Sequence, residues 1–327
     1  MTSANNRTVT AFGTAGADGK PSATFVRGDT FSSGGAMTLG DVDGDHELEL
    51  VGVFGIDHDG DFGATGLAEL EPGDRGGIGG TELPIDRVRV VDLEGDGPLE
   101  VANTWDGSVR TFDGGPAISG PGIVYDFCIG DFDGDGLLDV AGTFRGAVRI
   151  GTYSGETYQV GVGADPFGVG AGDFNGDGNV DLATANRDGS LSVVLGNGDG
   201  TFRSLWTLVV GTKAGRVTVS DFDDDDVLDL VIGDSLPDAV VVLRGNGDGT
   251  FASTHTVTLP ATVCDVVIHD MDRDGIRDIV ALTPEDSYVL IGRGARGRAD
   301  GQFVITSEIA DGGGALRFAG GDFNEDG

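Results

Sequence analysis

Lysine is nearly missing from this chain. Lys20 and Lys213 are the only two in 327 residues, and lysine and arginine together number 20 against 55 aspartates and glutamates. The formal net charge of −35 leaves no basic surface for a phosphate backbone, so nucleic acid is not an expected partner. The charge has two readings, an ordinary solvated surface or adaptation to high salt. Long apolar runs are missing as well. No stretch reaches the roughly 18 apolar residues of a membrane-crossing helix, so membrane insertion is not expected. The first residues lack a basic start followed by an apolar core, so no secretory signal is visible. Proline is scarce, at 10 against 60 glycines, and no Gly-X-Y period exists; this excludes collagen and favours short strands joined by tight turns.

The four histidines, His46, His58, His255 and His269, have no metal-ligand spacing, and no nucleophile elbow, zinc-protease helix or phosphate loop is present. The chain is therefore not expected to be an enzyme. Only two cysteines occur, Cys128 and Cys264. They precede the third and sixth copies of the repeat described next, copies that a ring would hold apart. A disulfide needs Cα atoms within about 7 Å, so two buried thiols are expected.

What is present is one acidic pattern that returns seven times. Its first copy is Asp41, Asp43, Asp45 and Glu49, at positions 1, 3, 5 and 9 of a short run. The second is Asp92, Glu94, Asp96 and Glu100; the third is Asp131, Asp133, Asp135 and Asp139; the fourth is Asp173, Asn175, Asp177 and Asp181. Asp221, Asp223, Asp225 and Asp229 make the fifth, and Asp270, Asp272, Asp274 and Asp278 the sixth. The seventh, Asp322, Asn324 and Asp326, stops at Gly327 before its ninth position. Oxygen donors at this spacing suit a hard cation that takes about 6–8 oxygen ligands, so up to six or seven Ca2+ ions are expected. A further run, Asp57 to Asp61, has the same spacing but Thr65 at its ninth position, which leaves a cation site or a solvated turn as its readings.

Repeats of this length stack as supersecondary units, and one domain spanning 1–327 is expected. The fourth repeat is the template. Phe167–Gly172 reads as a first strand, Asp181–Asn186 as a second, Ser190–Leu195 as a third and Thr201–Val210 as a fourth, with Asp188-Gly189 as a hairpin turn. Two and four positions ahead of the loops the residues are apolar, as with Phe127 and Ile129, or Val217 and Val219, and should pack between repeats. Five positions ahead stand Arg87, Asp126, Arg216, Asp265 and Arg317. If this strand is innermost they line a central channel, with Arg87 paired to Asp126 and Arg216 to Asp265. Residues 7–26 look like a third and fourth strand, which would complete a seventh blade begun by residues 315–327. The fold expected is all-β, a seven-bladed β-propeller of four-stranded antiparallel blades. Its seventh blade lacks a second strand, so the natural chain is expected to continue.

The run Asp173-Phe-Asn-Gly-Asp-Gly with Asp181-Leu182, followed by Gly196-Asn-Gly-Asp-Gly-Thr-Phe202, resembles the FG-GAP or VCBS repeat, and Phe167-Gly168 matches its name dipeptide. The resemblance covers nearly the whole chain. It implies an integrin α-subunit-like, calcium-binding propeller, an extracellular or cell-surface setting, and a role in adhesion or lectin-like recognition. It also implies that a glycan or protein ligand binds the face opposite the calcium loops. That face maps to Trp105-Asp106-Gly107, Phe144-Arg145-Gly146, Asn186-Arg187-Asp188 and Asp234, with Trp105, Phe144, Arg145 and Arg187 as candidate contacts. A monomer is expected. The alternatives are the propeller of a secreted polysaccharide-active enzyme and a spacer in a surface protein. Three departures matter. The second repeat carries Glu94, Pro98 and Glu100 and should bind metal most weakly; His46 and Asp226 stand where glycine eases the turn. The third and fourth loops should bind most tightly.

Overall fold

The computed structural model describes residues 124–309 apart from 212–213, 236–237, 272–273, 285 and 296–297, together with 116–119 and the backbone of the strands within 8–111. Each repeat from the second to the sixth folds into its own four-stranded antiparallel sheet, with strands in sequential order. The fourth repeat shows why. Its strands run Pro166–Gly172, Asp181–Asn186, Ser190–Gly196 and Phe202–Val209. Gly189 closes the tight turn between the second and third with φ at 83°, a left-handed conformation that costs glycine nothing. Its N–H donates to the Asn186 carbonyl at 2.9 Å. Asp188 accepts from the Ser190 N–H and hydroxyl, which fixes the hairpin entry.

The other sheets repeat this design. Phe127–Gly130, Asp139–Phe144, Ala147–Gly151 and Thr157–Val160 form the third. Ala214–Ser220, Asp229–Ser235, Asp238–Gly245 and Phe251–Thr258 form the fifth. Asp265–His269, Asp278–Leu282, Ser287–Ala295 and Arg298–Ile309 form the sixth. The second repeat's last strand is only Ile118–Ser119. The first repeat pairs three strands, and Thr8–Ala15 forms a hairpin with Pro21–Phe31.

Strand side chains alternate between two faces, and here both faces are buried. The apolar clusters therefore lie between consecutive sheets. Val109 and Ile118 of the second repeat meet Phe127, Val140 and Phe144 of the third. Ala141, Val148 and Ile150 meet Val169, Leu182 and Val194. Ala183, Leu191 and Val193 meet Val217, Leu230 and Ile232. Val231, Val240 and Val242 meet Val266, Ile279 and Leu290. Burial of this kind stabilises by about 25 cal/mol per Å² of apolar surface removed from water.

First strands neighbour one another. Pro166–Gly172 lies between Phe127–Gly130 and Ala214–Ser220, which in turn adjoins Asp265–His269. The charged residues at their starts pair differently from the sequence expectation. Arg216 of the fifth repeat reaches Asp126 of the third, Nη1 to Oδ1 at 3.6 Å, with both side chains buried. The pair skips the fourth repeat because Gly168 stands at the equivalent position there. A Cβ on Gly168 would lie 2.4 Å from the Gly215 carbonyl oxygen, so the close approach requires glycine. Asp126 also accepts from the Phe127 and Val169 N–H groups. Asp265 instead takes the N–H of Val266. Arg87 and Arg317 lie outside the described residues. Both cysteines are thiols; Cys128 is buried as expected, but Cys264, just ahead of its strand, is only half-buried.

Candidate metal centre

The acidic runs of the third to sixth repeats all link a first strand to a second. In the third, the Asp131 carboxylate accepts from the Gly134 N–H at 2.7 Å and the Gly136 N–H at 3.0 Å. Asp135 accepts from Leu137. The fourth loop copies this: Asp173 takes Gly176 and Gly178, and Asp177 takes Asn179. Asn175 accepts the Asp177 N–H, and its amide donates to the Asp177 carboxylate. Both loops pass through left-handed glycines, Gly134 and Gly136 or Gly176 and Gly178. In the sixth, Asp270 takes the Gly275 N–H and Asp274 that of Ile276.

The ninth-position aspartate has a role that spacing alone does not show. Asp181 is fully buried. Its two oxygens accept from the Phe174 N–H at 2.9 Å and the Gly196 N–H at 2.8 Å. One carboxylate thus ties the loop's second residue to the end of the third strand. Asp229 does the same for Phe222 and Gly245, and Asp278 for Met271 and Gly292. Asp139 holds Phe132 and Tyr153. A carboxylate oxygen has two lone pairs, so accepting one N–H does not by itself bar it from ligating a cation. Burial, with the nearby loop carboxylates adding to it, pushes the Asp139 and Asp181 pKa values up to about 6 and that of Asp229 to about 7, against the pull of the two N–H groups.

This crowding of acids is the arrangement a divalent cation relieves. Asp131, Asp133 and Asp139 each present an oxygen within 4.8 Å of the others, as do Asp221, Asp223 and Asp225. In the sixth loop a buried oxygen of Asp270, Oδ1, has no hydrogen-bond partner among the described residues. The donor set is all oxygen, which suits calcium. The first and seventh motifs, the loop of the second, Asp272 of the sixth and the run Asp57 to Asp61 lie outside the described residues, as do the side chains of Glu49 and Glu100.

Of the four candidate ligand contacts, Arg145 is exposed beside its hairpin turn. Phe144 is 2% exposed and packs with Val109, Ile118 and Phe127, so its ring is core rather than recognition surface. Arg187 is stacked within the protein, its guanidinium 4.8 Å from the Tyr125 ring centre and 4.6 Å from that of Phe167, and it lies 3.9 Å from Asp165. Tyr125 and Phe167 were missed as partners of Arg187, although Phe167 opens the name dipeptide of its repeat. Trp105 ends a strand, and its side chain is outside the described residues.

The fold and loops define a β-propeller-type module of all-β repeats. Three overlapping stretches, residues 131–184, 173–232 and 221–281, match the FG-GAP-like repeat, so this part of the chain is a run of FG-GAP-like repeats. No curated protein matches the sequence. Several solved structures match the fold. One, of an Agrocybe aegerita lectin, concerns recognition of non-reducing terminal N-acetylglucosamine. It is 18% identical with a TM-score of 0.54, covering 92% of this chain and 89% of that one. A putative 6-phosphogluconolactonase from Bacteroides uniformis is 13% identical, with a TM-score of 0.56 and 89% of each chain covered. BBS1N in complex with ARL6DN is 12% identical, with a TM-score of 0.52, covering 87% and 96%. A sugar binder, a putative enzyme and a protein-binding domain share the architecture, so the likeness fixes the fold alone.

Proposed function

We propose that the chain is a calcium-stabilised, non-enzymatic recognition module of seven blades, acting outside the cell on a glycan or protein ligand. The observation that carries the calcium reading is the third loop, where Asp131, Asp133 and Asp139 bring three carboxylate oxygens within 4.8 Å on a turn already shaped by its own N–H groups. An ion there neutralises charges that otherwise oppose the turn, so binding and folding are coupled. An ion at ~10 times its dissociation constant adds about 1.4 kcal/mol per site. Several such sites together rival a domain's whole stability of ~5–15 kcal/mol.

The recognition reading draws on the lectin among the structural neighbours and on the hairpin turns away from the acidic loops, where Arg145 is exposed. Arg187, held between Tyr125 and Phe167, offers a pre-ordered edge of the kind that limits the entropy lost on binding.

Two measurements test these readings. Thermal melts in millimolar calcium and in chelator should differ by many degrees; coincident melts would remove calcium from the proposal. A glycan array probed with calcium-loaded protein should give hits that Arg145→Ala and Trp105→Ala weaken. Turnover of a soluble polysaccharide would favour the enzymatic alternative instead.

A further inference from the structure

Arg244 lies at the end of the fifth repeat's third strand, just ahead of Gly245. Its Nη2 is 2.7 Å from Asp223 Oδ2 and 2.5 Å from Asp225 Oδ2. These are the third- and fifth-position carboxylates of the fifth loop, and Asp223 is buried. The hydrogen-bond pattern identifies the matching position in the other repeats. Gly245, Gly196, Gly292 and Tyr153 each donate an N–H to their own ninth-position aspartate. The residue before each is Arg244, Leu195, Ile291 and Thr152. The described repeats thus place a cation at this position once, over the loop that departs most from the pattern. That loop has Asp224 and Asp226 where the third and fourth have glycines, with φ at 53° and 65°.

We propose that the fifth loop is not a calcium site, and that the Arg244 guanidinium serves there as a permanent internal counter-ion. A calcium ion bound by Asp223 and Asp225 would share both carboxylates with a charged guanidinium that never deprotonates near neutral pH. Either the arginine leaves, abandoning two charge-assisted hydrogen bonds, or two cations meet at close range. The arginine needs no free ion and is always present at unit stoichiometry. The loop therefore folds in chelator, where its neighbours are strained by unbalanced charge.

The inference rests on calcium binding at the other loops, and the experiment separates the two. Bound calcium is counted by equilibrium dialysis with elemental analysis for the native protein, Asp225→Asn, Arg244→Leu and Asp135→Asn. Leucine is the residue at the matching position of the fourth repeat, and circular dichroism confirms that each variant is folded. The native count should be unchanged by Asp225→Asn, reduced by one in Asp135→Asn, and raised by one in Arg244→Leu. The Arg244→Leu protein should also melt lower than native in chelator and recover in calcium. Loss of one ion in Asp225→Asn, or no gain in Arg244→Leu, overturns the proposal. A native count of zero defeats the calcium reading of the whole chain, and the chelator melt then decides the role of Arg244 alone: an unchanged melt overturns it.

Discussion

At the scale of single residues, the ninth-position aspartates combine two demands that oppose each other. As acceptors for two buried N–H groups they must stay inside; burial, with other carboxylates close by, makes them hold a proton more tightly than a free aspartate does. Removing Asp181 should leave the N–H groups of Phe174 and Gly196 without an acceptor, at about 1–3 kcal/mol each. Asp181→Ala should therefore destabilise the protein by roughly 2–6 kcal/mol in chelator, and by more in calcium, where a ligand of the fourth loop is lost as well. Asp135→Ala, at an exposed position, should cost stability only in calcium. Urea unfolding under both conditions distinguishes them. The raised pKa values set a pH dependence. An acid that binds its proton more tightly folded than unfolded makes the fold more stable as it protonates. With Asp139 and Asp181 at about 6 and Asp229 at about 7, the metal-free protein should gain stability as pH falls from about 8 towards 4. Calcium favours the ionised form, so the calcium-dependent rise in melting temperature should be large at pH 8 and shrink towards pH 5. Melts across that range, with and without chelator, check the sign.

At the scale of elements, the strands were legible because alternation and Asp-Gly turns are local signals. Asp181–Asn186 falls where the sequence places it, and the neighbouring strands shift by one residue at most ends. What joins the sheets was not legible, because its partners sit in different repeats. The phenylalanine after a loop's first aspartate packs on a phenylalanine in the next repeat's last strand. Phe132 meets Phe202, Phe174 meets Phe251 and Phe222 meets Phe303, with ring centres 5.4–6.1 Å apart. Beside the first two pairs, the Gly-Asn-Gly-Asp-Gly turn donates an N–H back to the earlier loop, Gly200 to Phe132 and Gly249 to Phe174. The recurrence of both phenylalanines was visible in the sequence; their pairing across repeats was not. The Arg216–Asp126 pair escaped for the same reason, since only the structure shows that Gly168 clears its path. Phe222→Ala should open a cavity between the fifth and sixth sheets and cost about 3–5 kcal/mol. Its signature should be loss of hydrogen-exchange protection in both sheets.

At the scale of the whole molecule, sheets that stack face to face in sequence leave two ends, each with an apolar face that needs a cover. The clusters account for every junction from the second repeat to the sixth. Beyond the sixth sheet, the N-terminal strand Pro21–Phe31 comes within 8 Å, Cα to Cα, of Arg298–Ile309. A ring closed by both chain ends requires such proximity, and we propose that the N-terminal hairpin covers this sheet. A chain lacking residues 1–31 should keep the local loops and their calcium, because the described metal sites lie within single repeats. It should nonetheless melt several degrees lower and self-associate through the uncovered sheet. Size-exclusion chromatography with light scattering, run beside calcium titrations, separates the two effects. A truncated chain that stays monomeric and melts with the 1–327 chain would mean that the N-terminal hairpin covers nothing, and that other residues cover the sixth sheet.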